Sequence, residues 1–255
     1  MKKLILATAV LAISAPALAN NVAPTRTNTG AVAVEAGKDF RLEGDIGYSV
    51  NQTKSDAEKS TKSNLNANAL FQRQKGVWGQ EIRAQAISSN DDTATSSTEQ
   101  YYLSGKVLHR SSPTVYQFAQ LAGEKDLGSA FDYQATATAG LGMDILKDSR
   151  QSLTAEVGAG YRHSKDRYEP RDTHNEAIGT VAAFYEYQVS PAVRFNQDLA
   201  YEFGKESKTL RSRTALSADL TDRIAGVASY SIKDTQADAG DSRISLASFG
   251  IRYKH

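Results

Sequence analysis

The side chains with the widest chemical repertoire in this chain are four histidines, and there is no cysteine beside them. A thiolate zinc site, a disulfide framework and a lipoprotein anchor are therefore excluded. No two histidines stand at the i, i+4 spacing that a zinc-binding helix uses, and no carboxylate run has the period of a calcium loop. His163 and His174 flank Asp166, Glu169 and Asp172. That set could hold a divalent ion weakly, but a solvated charged loop accounts for it better, so no metal or other cofactor is expected. Two His–Ser juxtapositions, His109-Arg110-Ser111 and His163-Ser164, could in principle hydrolyse lipid if the imidazole reached the hydroxyl. Neither is convincing. The first falls at a short turn, and adjacent residues of an extended strand point to opposite faces. No catalytic residue is assigned, and the expectation is a protein that is not an enzyme.

The larger constellation is ionic. Arg41, Glu43 and Asp45 alternate, as do Glu81 with Arg83 and Arg211 with Arg213. Lys106 with Arg110, and Arg194 with Asp198 and Glu202, keep even spacings, as do Glu156 and Arg162. Glu186, Asp219 and Arg252 fall in phase with their own segments. A two-residue period places such side chains on one face of a strand. The other face is apolar: Phe40, Leu42, Ile46 and Tyr48 oppose the first set, and Leu153, Ala155, Val157 and Tyr161 oppose Glu156 and Arg162. The polar faces carry both signs in near balance. They suit the lining of a narrow water-filled channel for small solutes, or a barrel filled by its own ion pairs.

Segments able to carry these faces recur at 39–50, 63–74, 77–88, 99–110, 114–123, 131–143, 151–162, 175–189, 192–204, 209–220, 223–233 and 243–254. The fifth is poorly phased, with apolar residues on both faces. Connections alternate long and short: the long ones run through NQTKSDAEKST, SSNDDTATSST, GEKDLGSA, HSKDRYEPRDTHN, GKESK and DTQADAGD. The short ones include Lys75-Gly76, Ser111-Ser112-Pro113, Asp148-Ser149-Arg150, Ser190-Pro191 and Thr221-Asp222. An even number of strands with tight turns at one end and long loops at the other predicts an all-β, antiparallel up-and-down transmembrane barrel of about twelve strands. Such a barrel spans the bacterial outer membrane. Polar mean hydropathy, −0.46, is no objection, because alternate residues of a membrane strand face inward.

The beginning of the chain agrees. Lys2 and Lys3, an apolar run from Leu4 to Ile13, and Ala17-Leu18-Ala19 have the order of a cleaved secretory signal peptide. Residues 1–19 are assigned to it, 20–37 to a periplasmic leader and 38–255 to the barrel. Without Lys2 and Lys3 the 30 basic residues become 28 against 29 acidic, so electrostatics gives no reason to expect nucleic acid as a partner.

If odd strands run outward, Phe40, Phe71, Trp78, Tyr185, Tyr187, Phe195 and Tyr253 gather at the periplasmic rim. Tyr48, Tyr101, Phe131, Tyr133, Tyr161, Tyr201, Phe203 and Tyr230 then gather at the outer rim, with an aliphatic band between. Such belts face the outer-membrane lipid and lipopolysaccharide that would surround the barrel. Their completeness favours a monomer, with a trimer as the alternative. The last strand must pair with the first, since an open edge in lipid leaves amides without partners.

Ser248, Gly250 and Tyr253 resemble the C-terminal signal read by the barrel-assembly machinery, with His255 where phenylalanine usually ends it. Ala139-Gly140-Leu141-Gly142, the stretch Ala155-Glu156-Val157-Gly158-Ala159-Gly160-Tyr161, Trp78 and the closing aromatic strand resemble the salt-stress-induced outer-membrane protein family. The resemblance covers nearly the whole chain after residue 19. It implies an outer-membrane location and a link to salt or osmotic stress, with no catalytic residues to carry over. An outer-membrane lipid hydrolase and a barrel that binds or adheres through its external loops are the alternatives.

Overall fold

The computed structural model describes residues 40–54, 59–91, 98–127, 131–237 and 241–254. The signal peptide and the leader assigned from sequence lie outside these residues. Twelve strands follow in chain order: β1 (Phe40–Lys54), β2 (Lys59–Lys75), β3 (Trp78–Asp91), β4 (Thr98–Arg110), β5 (Val115–Asp126), β6 (Phe131–Lys147), β7 (Gln151–Asp166), β8 (Thr173–Ser190), β9 (Val193–Phe203), β10 (Ser207–Asp219), β11 (Ile224–Ala237) and β12 (Ser242–Lys254). Each pairs antiparallel with its sequence neighbours, and β1 pairs with β12, from Glu43↔Lys254 to Tyr48↔Phe249, to close the barrel. No edge is left open, so every strand has backbone partners on both sides.

Burial is inverted relative to a soluble domain. Ile46 is 65 % exposed while Glu43, three residues away on the other face, is 8 % exposed. Leu103, Leu121, Val157, Val181 and Ile251 are likewise exposed, and Gln72, Lys106, Glu156 and Arg162 are buried. An apolar exterior of this extent would be costly in water and is favourable against hydrocarbon. No helix among the described residues is long and apolar enough to cross a membrane; the crossing is made by strands.

The short turns are built by local side-chain chemistry. Lys75 pairs with Trp78 across a two-residue loop whose first residue, Gly76, has φ +59°, a conformation without penalty only for glycine. Ser112 Oγ accepts the Val115 amide at 2.9 Å, Asp148 Oδ1 the Gln151 amide at 2.9 Å and Thr221 Oγ1 the Ile224 amide at 3.0 Å. One Asx- or hydroxyl-type turn thus serves three hairpins.

The phase of β5, ambiguous in sequence, is settled by packing. Tyr116 and Phe118 point inward and join Leu108 in a buried apolar cluster. Glycines on the facing strands make the room: a Cβ on Gly142 would collide with the Tyr116 ring, and one on Gly140 with Phe118. Two aromatics inside a mostly polar barrel thus depend on the small residues of β6 and β7. A register shift between Phe131 and Tyr133 also corrects the aromatic assignment. Phe131, expected in the outer belt, is buried at 4 % exposure, while Tyr133 remains on the surface.

Candidate functional site: an ion-paired interior

Strand parity sends a polar side chain inward at every second position, and the twelve strands bring these into two layers and a chamber. In the layer nearer the long loops, Lys233 of β11 bonds Glu124 and lies 3.4 Å from Asp126, both on β5. In a ring of twelve, β5 and β11 stand six places apart, so this contact crosses the lumen between opposite walls. Arg211 of β10 donates to Glu124 at 3.0 Å and lies 3.3 Å from Glu202. Gln100 of β4 donates to Glu124 at 2.6 Å. Arg162 of β7, 1 % exposed, donates to Glu176 at 2.9 Å and to the Ser207 carbonyl at 2.9 Å. Buried charges survive only when paired, and this layer pairs its charges by spanning the barrel.

A second layer lies toward the short turns. Lys106 of β4 and the Tyr116 hydroxyl both bond the Glu156 carboxylate of β7, and the Lys106 ammonium sits 4.5 Å from the centre of the Phe118 ring. Arg110 donates to Asp144 at 3.1 Å, and Thr154 donates to the same carboxylate at 3.1 Å.

Beside this layer the interior opens into a chamber of about 100 Å³. One wall, from β1 and β12, holds Arg252 bidentate on Asp45 at 2.7 and 3.1 Å and Arg41 on Glu43 at 2.6 Å. The other, from β8 and β9, holds Glu186, which accepts from Asn196 at 3.0 Å and lies 3.5 Å from Arg194. Arg83, Asp198 and Arg213 complete its charged lining, with Asp198 and Arg213 opposite each other in the β9–β10 ladder.

Among the remaining residues singled out from the sequence, Glu81 is buried, accepts from Gln72 at 2.6 Å and lies 3.8 Å from Arg83. Asp219, placed inward by its phase, is instead exposed at the end of β10, where the turn to β11 begins. Among the described residues, five buried charges go beyond those that the sequence reading picks out: Glu124, Asp126, Asp144, Glu176 and Lys233. Parity would have found Lys233, which shares its face with Ser231 and Thr235. Glu124 was obscured because Tyr116 and Phe118 blurred the phase of its strand.

The His–Ser juxtapositions come apart in three dimensions. His163 faces outward, its ring nitrogens 3.2 Å from the Tyr133 hydroxyl and 2.7 Å from Asn175 Oδ1, whereas Ser164 is buried inside. The His109 ring packs against Trp78 with centroids 4.8 Å apart. Neither imidazole is placed to act as base on its neighbouring serine. At the long-loop end, His174 Nε2 lies 2.8 Å from Asp166, and this contact holds the imidazole above its ordinary pKa.

A closed antiparallel barrel with a charged interior, an apolar exterior and aromatic residues at both rims defines a bacterial outer-membrane β-barrel. Within that class the chain belongs to the family described as "Protein of unknown function, DUF481", which matches residues 44–254. Among solved structures it is similar to the COG4313 outer membrane channel from Pseudomonas putida F1, with 11 % identity and a TM-score of 0.54 over 90 % of this chain and 99 % of that one. The NanC porin gives 12 % identity and a TM-score of 0.49 over 83 % and 97 % of the two chains. The translocator domain of autotransporter NalP from Neisseria meningitidis gives 12 % and 0.48 over 86 % and 89 %. At 11 % identity the likeness to the outer membrane channel is one of fold. No curated protein matches the sequence.

Proposed function

We propose that this protein is a narrow channel for small solutes or ions in the outer membrane, closed at rest by its own ion pairs. The observation that carries this reading is the Lys233–Glu124 contact between opposite walls, with a charged chamber on the short-turn side of it. Twelve strands enclose more space than eight, whose side chains fill the barrel, and less than a large porin, which leaves a wide pore. Here the gap is bridged by long charged side chains, and such a bridge can open without unfolding the wall. The residues proposed to line the path are those of the chamber and the two layers, from Arg41 to Arg252. The resemblance to the salt-stress-induced family supports a role under salt or osmotic stress. Lipid and lipopolysaccharide would surround a single barrel, and β12 would serve its recognition by the assembly machinery.

Conductance in a planar bilayer tests the channel reading, using protein whose folding is verified by heat-shifted mobility on a gel. Small or brief steps are expected from the wild type, and larger, longer ones from Lys233→Ala. Silence from both folded proteins would overturn the channel and favour a structural barrel.

A further inference from the structure

We infer that the chamber on the short-turn side binds a small zwitterion, a solute carrying one carboxylate and one ammonium group. This names a solute class for the channel proposed above and rests on that reading for its physiological purpose. Four cationic and four anionic side chains line the chamber: Arg41, Arg83, Arg213 and Arg252 against Glu43, Asp45, Glu186 and Asp198. A solute of single net charge would gain from one half of that lining and be repelled by the other. A solute with both charges meets a partner at each end.

The chemistry of the lining is specific as well as balanced. All its cations are arginines, whose planar forks match a carboxylate, and none is a lysine. The carboxylates can accept an ammonium. Of the lining residues held in ion pairs, Arg41 and Glu186 keep the most side-chain exposure, 25 % and 40 %. They stand on different walls, β1 and β8, of the one chamber that Arg252 also lines. Leu70 and Phe184 supply an apolar surface for a short carbon skeleton. Moving a zwitterion out of water is costly unless both ends are paired, and the two walls offer that pairing.

Size sets the upper limit. An engineered apolar cavity of roughly 150 Å³ holds benzene. A chamber of about 100 Å³ therefore suits a solute of a few heavy atoms, on the scale of glycine or alanine.

Calorimetric titration of the refolded protein in detergent micelles tests this directly, with L-alanine as the probe and acetate and methylammonium as its half-molecules. Saturable binding of alanine is expected. Each half-molecule should bind roughly tenfold to a hundredfold more weakly, the effect of losing one charge-assisted hydrogen bond. Arg41→Gln should weaken alanine and acetate while sparing methylammonium, and Glu186→Gln should do the reverse. Alanine binding no tighter than either half-molecule would overturn the proposal, and that comparison needs only the wild type. Alanine binding by a protein that never conducts would remove the channel and keep the site. Conduction without alanine binding would remove the site and keep the channel.

Discussion

Lys233 and Glu124 are separated by 109 positions in sequence and lie on opposite walls of the barrel, yet their side chains meet across its lumen. Both are buried, at 3 % and 9 % exposure. Neither could stay charged there alone, so the pair joins β11 to β5 across the lumen, where no backbone ladder connects them. Arg211 and Gln100 converge on the same carboxylate. Glu124 is therefore the hub of the layer, and Lys233 is one of three donors to it.

That asymmetry predicts unequal costs. Glu124→Gln takes from Lys233 and Arg211 the anion they share, leaving each a single carboxylate, Asp126 and Glu202, and should destabilise the barrel by about 3–5 kcal/mol. Lys233→Met keeps the volume and leaves Arg211 and Gln100 on Glu124, with Asp126 losing one longer contact, so the loss should be smaller, about 1–3 kcal/mol. Urea midpoints of the refolded variants in micelles measure the difference. Equal losses would contradict the hub assignment.

Gly142 gives a steric test of how β5 is accommodated. A branched side chain there must displace the Tyr116 ring and disturb its bond to Glu156. Gly142→Val should cost about 1–3 kcal/mol by overpacking. At Gly105, on the outer surface, a Cβ meets nothing within 4 Å. Gly105→Ala should therefore be neutral or stabilise by up to about 1 kcal/mol, since glycine in a strand carries extra chain entropy. The same denaturation assay reads both.

Trp78 is the sole tryptophan and is 54 % exposed at the start of β3, so its fluorescence reports one depth in the membrane. Lipids brominated near the headgroup should quench it more than lipids brominated at the chain ends, as an aromatic girdle requires. Stronger quenching from the bilayer centre would displace the proposed belt.

The outer end of β8 carries a pH dependence. His174 lies three residues beyond the Tyr161–Ala177 pair of the outer rim, and its bond to Asp166 raises its pKa from 6.5, helped by the nearby charges of Glu206 and Asp172. A histidine raised on folding adds stability that is fully present below its unfolded pKa and is lost as pH rises through the folded value. Amide exchange in residues 167–172, corrected for intrinsic rates, should therefore be slower at about pH 6 than at about pH 8. Asp166→Asn should remove most of the difference. Exchange independent of pH in the wild type would refute the coupling.

How much of this was legible beforehand depended on whether the signal was local. Segments such as Phe40–Val50 carry their own alternation, and each of the twelve segments coincides with an observed strand. Turn residues such as Gly76, Asp148 and Thr221 stand where their conformational preferences or side-chain oxygens are used. Buried charges such as Arg83, Glu156 and Arg252 could be named because parity alone gives a strand residue its face.

The failures were not local. Phe131 lost its place in the belt to a register shift, and Asp219 fell where its strand gives way to a turn. The phase of β5 could not be read because Tyr116 and Phe118 are accepted inside only through glycines on β6 and β7.

The sequence by itself determined the barrel, its strand number and which side of each strand is polar, because a period of two needs nothing beyond neighbouring residues. Tertiary structure alone decided which charges meet. Lys233 finds Glu124, Lys106 finds Glu156 and Arg252 finds Asp45 only once the sheet has closed and its stagger has set the height of every side chain in the lumen. Closure is a property of the whole ring, and no single strand carries it.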